Sequence, residues 1–228
     1  MNDVSMSEDQ GSAALSKGIA RFLLRILHRM AAVPWIYDII QAAVGVRRLQ
    51  AILSAKIARY GAGGLVIEAG GGTGFQRPLW GAAYTYVCLD IDLVKLVGFR
   101  KKFPQGLAVL GDATQLPFPS ESADATVCVF LIHHLGDDML PELMAELQRV
   151  LKPGGLLLLA EPDKAMDRPL TRLLWRLDRG SHPRSLDEIQ AILRKHFQVV
   201  EAERTKMLHP FLIFVCETLD GNPVPQPG

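Results

Sequence analysis

The sequence predicts an α/β protein with a doubly wound parallel sheet. From residue 64 onward, apolar segments of strand length alternate with segments of helical periodicity, which is the pattern of such folds. Leu156 to Ala160 is a continuous apolar segment, as expected for a central parallel strand covered on both faces. Leu65 to Gly74 runs from an apolar strand into alternating glycines, a sequence typical of the turns at which open α/β sheets bind ligands.

The same alternation gives the order of the elements. Strands are expected at 64–69, 84–90, 107–110, 124–131, 155–161, 197–203 and 210–217, and helices at about 92–103, 138–151, 169–178 and 185–196. Leu140-Pro141-Glu142 suits the first turn of the second helix. Lys152 to Gly155 is a basic segment with proline and glycine, and it predicts the end of that helix before the fifth strand.

The chain outside this alternation divides into three segments. Residues 13–60 have a helical pattern interrupted at Pro34 and near Gly45, and we expect them to form an N-terminal helical cap on one domain at 61–219. Residues 1–12 are predicted to be a disordered leader, and residues 220–228, with their three prolines, a disordered tail.

Composition argues against several classes of function. The 228 residues fit one α/β domain, and a formal net charge of +1 argues against a surface for polyanions, so no nucleic-acid partner is expected. The first ten residues are polar and acidic, unlike a signal peptide, and no stretch approaches the ~20 apolar residues of a membrane span. Three cysteines in apolar segments predict buried free thiols in a reducing cytoplasm: Cys88, Cys128 and Cys216.

Acidic residues end the first two strands, beside the glycines. Gly70 and Gly72 let the backbone turn sharply and approach a ligand, and Glu68 and Asp90 are expected on the crevice at the carboxyl ends of the strands. A carboxylate is a poor partner for a phosphate but a good one for an ammonium group or a ribose diol. This chemistry favours S-adenosylmethionine over a nucleotide whose phosphates must be held.

Two other glycine motifs fail on spacing. The dinucleotide fingerprint G-x-G-x-x-G, started at Gly70 or Gly72, requires glycine where Phe75 or Arg77 stands. No Gly-Lys-Ser/Thr triplet follows, so the phosphate-binding P-loop is excluded as well. The alternative left open is a glycine-rich turn that only closes a strand–helix junction.

A third acid, Asp112, follows the third strand. Its carboxylate can accept a hydrogen bond from an exocyclic amine such as N6 of adenine, and the backbone N–H of Ala113 can donate to adenine N1. A single aspartate at such a position is more often a turn residue. Its place after a third successive strand favours the ligand-binding interpretation.

Five segments in the same order resemble the class I S-adenosylmethionine-dependent methyltransferases. The nearest resemblance is to the small-molecule branch that includes the ubiquinone/menaquinone-biosynthesis C-methyltransferases, and it covers residues from about 60 to 217. It implies a Rossmann-like sheet in the order 3-2-1-4-5-7-6 with the last strand antiparallel. The segments are Glu68–Gly74, Leu89-Asp90, Gly111–Ala113 with Leu116–Phe118, Asp124–Leu135 and Arg149–Gly155.

The resemblance also implies the cofactor and its contacts. The cofactor is S-adenosylmethionine, which becomes S-adenosylhomocysteine. Its methionine part is held by Glu68 and the backbone of Gly70 and Gly72, its ribose by Asp90, its adenine ring by Ile91, and the adenine edge by Asp112 and Ala113. One departure is evident, because Pro78 fits only a first helical turn and predicts a short crossover after the first strand.

His133 and His134 follow the fourth strand, where the transferred methyl group is expected. Either histidine can remove a proton from an attacking hydroxyl, amine or carbon acid, although one can instead cap the strand end. Glu161, at the end of the fifth strand, either orients substrate or caps the following turn. No carboxylate cluster suited to a metal accompanies them, so no metal is expected.

Acceptor specificity is expected from residues 13–60 and from the insert at 163–183. Residues 17–30 have an apolar stripe and a separate line of three arginines, so they either cover the acceptor pocket, pack on the protein's own sheet or a partner subunit, or make weak contact with an anionic membrane. In the insert, an apolar lid is expected, and His182 and Arg184 either reach a polar group of the substrate or belong to a solvated turn.

The sequence therefore predicts methyl transfer to a small, fairly apolar molecule, at oxygen, carbon or nitrogen. A non-catalytic cofactor-binding protein with a regulatory or interaction role is the alternative. Nucleic-acid methylation is disfavoured because the segment after the fourth strand, Phe130 to His133, lacks an Asn/Asp-Pro-Pro-Tyr/Phe motif. The acceptor and the oligomeric state stay open.

Overall fold

The computed structural model describes residues 46–164, 172, 175, 182–207 and 209–219, and the backbone alone at Val46. The predicted leader, the stripe at 17–30, most of the insert with its helix at 169–178 and the tail lie outside the described residues.

Seven strands form one sheet in the order β3-β2-β1-β4-β5-β7-β6. Neighbours from β3 to β5 are parallel, whereas β7 is antiparallel to both β5 and β6. The predicted order and the antiparallel last strand are thus confirmed. The strands are β1 (Gly64–Ala69), β2 (Tyr84–Asp90), β3 (Leu107–Leu110), β4 (Ala123–Val129), β5 (Leu151–Pro162), β6 (Phe197–Arg204) and β7 (Phe211–Thr218).

Four α-helices are described over their whole length, and local sequence signals explain where three of them begin. They are α1 (Val46–Tyr60), α2 (Leu93–Lys102), α3 (Leu140–Val150) and α4 (Leu186–Leu193). The Asp92 side chain accepts hydrogen bonds from the first turn of α2, and Ser185 forms a capping box with Glu188 at α4. Pro141 occupies the first turn of α3, as predicted, where its missing N–H costs nothing.

The sheet is covered on both faces, because alternate residues of each strand point to opposite sides. One face packs against α3 and α4, and its core includes Ile67, Leu89 and Leu147. The other face packs against α1 and α2, through side chains such as Leu53, Val66 and Phe99. The described end of the predicted N-terminal cap, α1, is therefore part of the core.

Two strand boundaries differ from the prediction by two residues or more. β4 ends at Val129 instead of residue 131, because Phe130 has a φ of 58° and turns the chain out of the sheet. β5 begins at Leu151 instead of residue 155, since Leu151 already pairs with Ala123 before an irregularity in the ladder. The first crossover contains a short 3-10 helix at Arg77–Leu79 and no α-helix, which confirms the short connection expected from Pro78.

Candidate functional site

The loop after β1 is shaped by glycines in the left-handed region of backbone conformation. Gly70, Gly72 and Gly74 have φ values of 72°, 57° and 75°. A Cβ added at Gly70 would lie 2.9 Å from Cδ1 of Leu131, so this glycine also lets the loop lie directly against the segment after β4. The glycine loop and that segment therefore form one surface at the carboxyl ends of the strands.

Asp90 is fixed against this glycine loop. Its Oδ2 accepts a hydrogen bond from the backbone N–H of Gly72 at 2.8 Å, and its Oδ1 accepts one from the N–H of Asp92 at 2.8 Å. The side chain is 4% exposed, whereas the adjacent Ile91 is 73% exposed. The end of β2 thus presents a held carboxylate beside an accessible apolar side chain, the pair that the sequence predicted for ribose and adenine.

Glu68 lies beneath the glycine loop and not on the open crevice where the sequence placed it. Its side chain is 2% exposed and points to the α1/α2 face, where the Tyr86 hydroxyl donates a hydrogen bond to Oε2. The physical reason is strand alternation, which puts Glu68 on the same face as Val66 and Tyr86. Burial raises the pKa of Glu68 well above its usual range, and the nearby Asp90 raises it further.

The third predicted contact region reaches the same edge through the backbone. Gly111 N–H donates to the Asp90 carbonyl oxygen at 3.1 Å, which places the turn at Asp112 and Ala113 beside the end of β2. The Asp112 carboxylate accepts hydrogen bonds from the backbone N–H and the hydroxyl of Thr114, both at 2.8 Å. Asp112 therefore stabilises its own turn, and its side chain is exposed.

A buried carboxylate organises the segment after β4. Oε1 of Glu161 accepts hydrogen bonds from the backbone N–H groups of Leu131 and Ile132, at 2.7 and 2.8 Å. Its Oε2 lies 2.5 Å from Nδ1 of His133. Glu161 and His133 are 1% and 3% exposed. Glu161 thus caps the turn, one of the two roles considered from the sequence, and also contacts a predicted catalytic residue.

His134 occupies a different environment from His133. The His134 residue is exposed, and its ring centroid lies 4.1 Å from that of His133 with a tilt of 41°. The edge-on ring of Trp175 lies 5.6 Å from His133 on another side. The structure therefore brings both histidines to one place, with His133 enclosed and His134 outermost.

Arg184 corrects the expectation that this residue belongs to a solvated turn. Its guanidinium is buried and donates to the carbonyl oxygens of Ile132 and Leu135, at 2.6 and 2.9 Å, and to the Asp137 carboxylate at 2.6 Å. The carbonyls that leave the sheet after β4 need donors, and a guanidinium can supply several at once. The other predicted residue, His182, is exposed, and its N–H donates to the His133 carbonyl oxygen.

Sequence reasoning did not identify Tyr86 or Phe130 as parts of this region, and it placed Trp175 only in the apolar lid expected of the insert. The Trp175 indole N–H donates to the Asp163 carbonyl oxygen, and the Phe130 ring lies 5.4 Å from that of Phe211. Each contact joins distant parts of the chain, and no local sequence pattern indicates it. The one signal available was composition, since Trp175 stands in the apolar part of the predicted insert.

Within 46–164 and the later described segments, His, Cys, Asp and Glu form no group of three that could hold a metal ion. No helix in that part of the chain is long and apolar enough to cross a membrane. An open groove of about 470 Å³ lies between α2 and β3, and its lining includes none of the predicted site residues.

A family model described as a methyltransferase domain matches residues 67–159, the segment that contains the glycine loop and the strands around it. The chain carries a class I S-adenosylmethionine-dependent methyltransferase domain. A probable S-adenosylmethionine-dependent methyltransferase of Mycolicibacterium smegmatis is 31% identical over 123 residues, which are 54% of this chain and 47% of that protein. The ubiquinone/menaquinone biosynthesis C-methyltransferase UbiE of Pseudomonas putida is 30% identical over 67% of this chain and 62% of its own length.

Solved structures agree with this methyltransferase fold. Magnesium protoporphyrin IX methyltransferase (ChlM) from Synechocystis PCC 6803, solved with bound S-adenosylhomocysteine, superposes with a TM-score of 0.62. The sequence identity is 19%, and the superposition covers 77% of this chain and 84% of that one. At this identity the likeness concerns the fold. The chain spans 34–54% of the length of the first five curated relatives that it matches.

Proposed function

We propose that this protein transfers a methyl group from S-adenosylmethionine to a small, fairly apolar acceptor. The observation that carries the proposal is the surface at the carboxyl ends of β1, β2 and β4. There a glycine loop in left-handed conformation, the fixed Asp90 carboxylate and the segment of His133 lie side by side. This is the position at which open α/β sheets bind ligands.

The residues on this surface fit S-adenosylmethionine. Asp90 accepts hydrogen bonds from the ribose hydroxyls, and Ile91 covers one face of the adenine ring. The Asp112 carboxylate and the Ala113 N–H form hydrogen bonds with the edge of the adenine. Gly70 and Gly72 bring backbone close to the methionine part, because neither carries a Cβ. Glu68 lies beneath the loop, where its hydrogen bond with Tyr86 supports the backbone that meets the methionine part.

The chemistry requires few groups from the protein. S-adenosylmethionine supplies a methyl group on a positively charged sulfur. His133 or His134 removes a proton from the attacking atom where that atom needs activation, and the strand ends hold the acceptor in line with the methyl carbon. The acceptor atom is an oxygen, a carbon or a nitrogen.

An apolar acceptor is supported by the side chains beside the histidines. Phe130, which follows β4, is half-buried against Phe211, and Leu131 contacts the glycine loop. A relative also supports an apolar acceptor, since it is a ubiquinone/menaquinone biosynthesis C-methyltransferase. A cytoplasmic location belongs to the same proposal, and the buried free thiols Cys88, Cys128 and Cys216 suit a reducing compartment.

Calorimetry with S-adenosylhomocysteine tests the cofactor site. Asp90→Ala removes the acceptor of two charge-assisted hydrogen bonds to the ribose, so affinity should fall by ~2–4 kcal/mol, or ~30- to 1,000-fold. Asp187→Ala, an exposed acid in α4, is the matched control and should bind like the wild type. Equal affinity of a folded Asp90→Ala protein would refute the site, as would comparable binding of NAD or ATP.

A labelled-methyl screen over cell-extract metabolites, with products identified by mass, tests the transfer itself. The short first crossover favours one alternative, a protein that binds the cofactor without catalysis. Tight binding of S-adenosylhomocysteine with no labelled product would support that alternative.

A further inference from the structure

We propose that Glu161 is a positioning residue that fixes the tautomer of His133 and so makes His133, not His134, the proton acceptor of the site. This inference rests on the proposed methyl transfer, because the tautomer of His133 matters for function only if His133 accepts a proton in that reaction. The geometry of Glu161, however, can be examined without the cofactor.

The strand register explains why Glu161 reaches this position. β4 and β5 run parallel with Val129 opposite Ala160, and the last backbone hydrogen bond of the pair joins Phe130 N–H to the Ala160 carbonyl oxygen at 2.9 Å. Phe130 then turns out of the sheet with a positive φ. Glu161 is the next residue on β5, and its side chain accepts the N–H groups of Leu131 and Ile132 that the ended ladder leaves without backbone partners.

The third contact of Glu161, with His133, is not needed to cap the turn. Two N–H groups already occupy Oε1, whereas Oε2 lies 2.5 Å from Nδ1 of His133. A carboxylate that accepts on both oxygens requires Nδ1 to carry the proton, so Nε2 is the nitrogen with the lone pair. The carboxylate also stabilises the imidazolium that forms when Nε2 takes up a proton.

The backbone around His133 is held by neighbouring donors, and its ring is held by Glu161 and Trp175. Arg184 holds the Ile132 carbonyl oxygen, the His182 N–H holds that of His133, and the edge of Trp175 contacts the ring. Among the described residues, Glu161 and the tilted ring of His134 lie against His133, and Arg184 binds the carbonyl oxygen of the neighbouring Ile132.

The proton balance of the step follows from this arrangement. His133 takes the proton of the acceptor X–H at Nε2 while the X lone pair forms the new bond to the methyl carbon. The carbon–sulfur pair stays on sulfur, which becomes neutral. His133 then releases the proton to solvent and returns to its starting tautomer.

Nitrogen NMR of the free protein, labelled at histidine, tests the tautomer directly, and His133→Gln assigns the signals. We expect Nδ1 to be protonated and hydrogen-bonded, with Nε2 unprotonated, in the neutral ring. In Glu161→Gln the amide can donate to Nδ1, so the tautomer should invert.

Turnover of Glu161→Gln should fall ~10²–10⁴-fold, and its S-adenosylhomocysteine affinity should stay within ~3-fold of the wild type. Glu142→Gln, an exposed glutamate on α3, is the control and should change neither.

Several outcomes would overturn the proposal. A wild-type His133 protonated at Nε2 contradicts it, and this measurement stands even where Glu161→Gln does not fold. Inversion of the tautomer in Glu161→Gln with turnover unchanged would show that His133 is not the proton acceptor, and a loss of turnover only in His134→Gln would make His134 the base. A protein with the expected tautomer that transfers no methyl group to any acceptor refutes the proposed function and leaves the Glu161 geometry intact.

Discussion

Glu68 and Asp90 show at the scale of single residues how the fold changes the properties of a predicted carboxylate. Both acids lie at the ends of adjacent parallel strands, yet Asp90 accepts hydrogen bonds from the backbone N–H of Gly72 in the glycine loop and from that of Asp92, while Glu68 faces the Tyr86 phenol in the core. The difference comes from strand alternation, and it leaves Glu68 in surroundings that favour its protonated form.

This burial predicts how stability depends on pH. The folded-state pKa of Glu68 is raised well above the ordinary value of 4.5, so its contribution to stability is full below that value and is lost as pH rises. Glu68→Gln keeps an oxygen for the Tyr86 hydroxyl and cannot ionise. In urea unfolding, the variant should therefore gain stability relative to the wild type as pH increases from about 4 toward neutrality. A constant difference across this range would show that Glu68 is not held protonated.

Site residues could be predicted from the sequence where they directly follow the end of a predicted strand. Gly70, Gly72, Asp90 and Ile91 lie together at the carboxyl edge because parallel strands end at the same edge. Arg184 was not placed correctly, since its partners are 49 and 52 residues away in the chain. A single sequence contains no periodic signal for such a contact.

At the scale of elements, local sequence signals predicted where the strands and helices lie. They did not predict where a strand ends against a neighbouring strand. Pro141 and Ser185 mark helix starts that capping rules identify. The end of β4 depends on Phe130 and on the side chain of Glu161 from the next strand. Hydrophobicity continues through Leu131, so the pattern alone extended the strand by two residues.

The glycine loop gives a prediction at this scale. Gly70→Ala places a Cβ 2.9 Å from Leu131 Cδ1 at a backbone with φ of 72°, so we expect a loss of ~1–3 kcal/mol of stability. S-adenosylhomocysteine affinity should fall as well, because the methyl group separates the loop from the segment after β4. Gly81→Ala is the matched control, since a Cβ there has no neighbour within 4 Å, and it should be neutral or slightly stabilising. Equal stability of the two variants in urea unfolding would contradict the strained geometry.

At the scale of the molecule, the described residues form one sheet with a core on each face, and both cores support the site. The strands whose carboxyl ends form the site are also the strands that separate these two cores. α1, with its buried Leu49, Leu53 and Ile57, completes one of them and is joined to β6 by the contact of Lys56 with Glu201. The sequence placed α1 in a separate cap because its pattern shows an apolar stripe but not the surface that the stripe meets.

Unfolding of core variants tests this arrangement of the whole molecule. Leu53→Ala on α1 and Leu147→Ala on α3 each remove a fully buried side chain from opposite faces, so each should cost ~2–5 kcal/mol. Because the two cores share one sheet, both variants should shift the same cooperative transition, followed by fluorescence and by circular dichroism. Leu219→Ala, at a side chain that is 53% exposed, is the control and should stay within ~0.5 kcal/mol of the wild type. If α1 were an independent cap, Leu53→Ala would instead produce a separate early transition and leave the main one unchanged, and S-adenosylhomocysteine would stabilise only the latter.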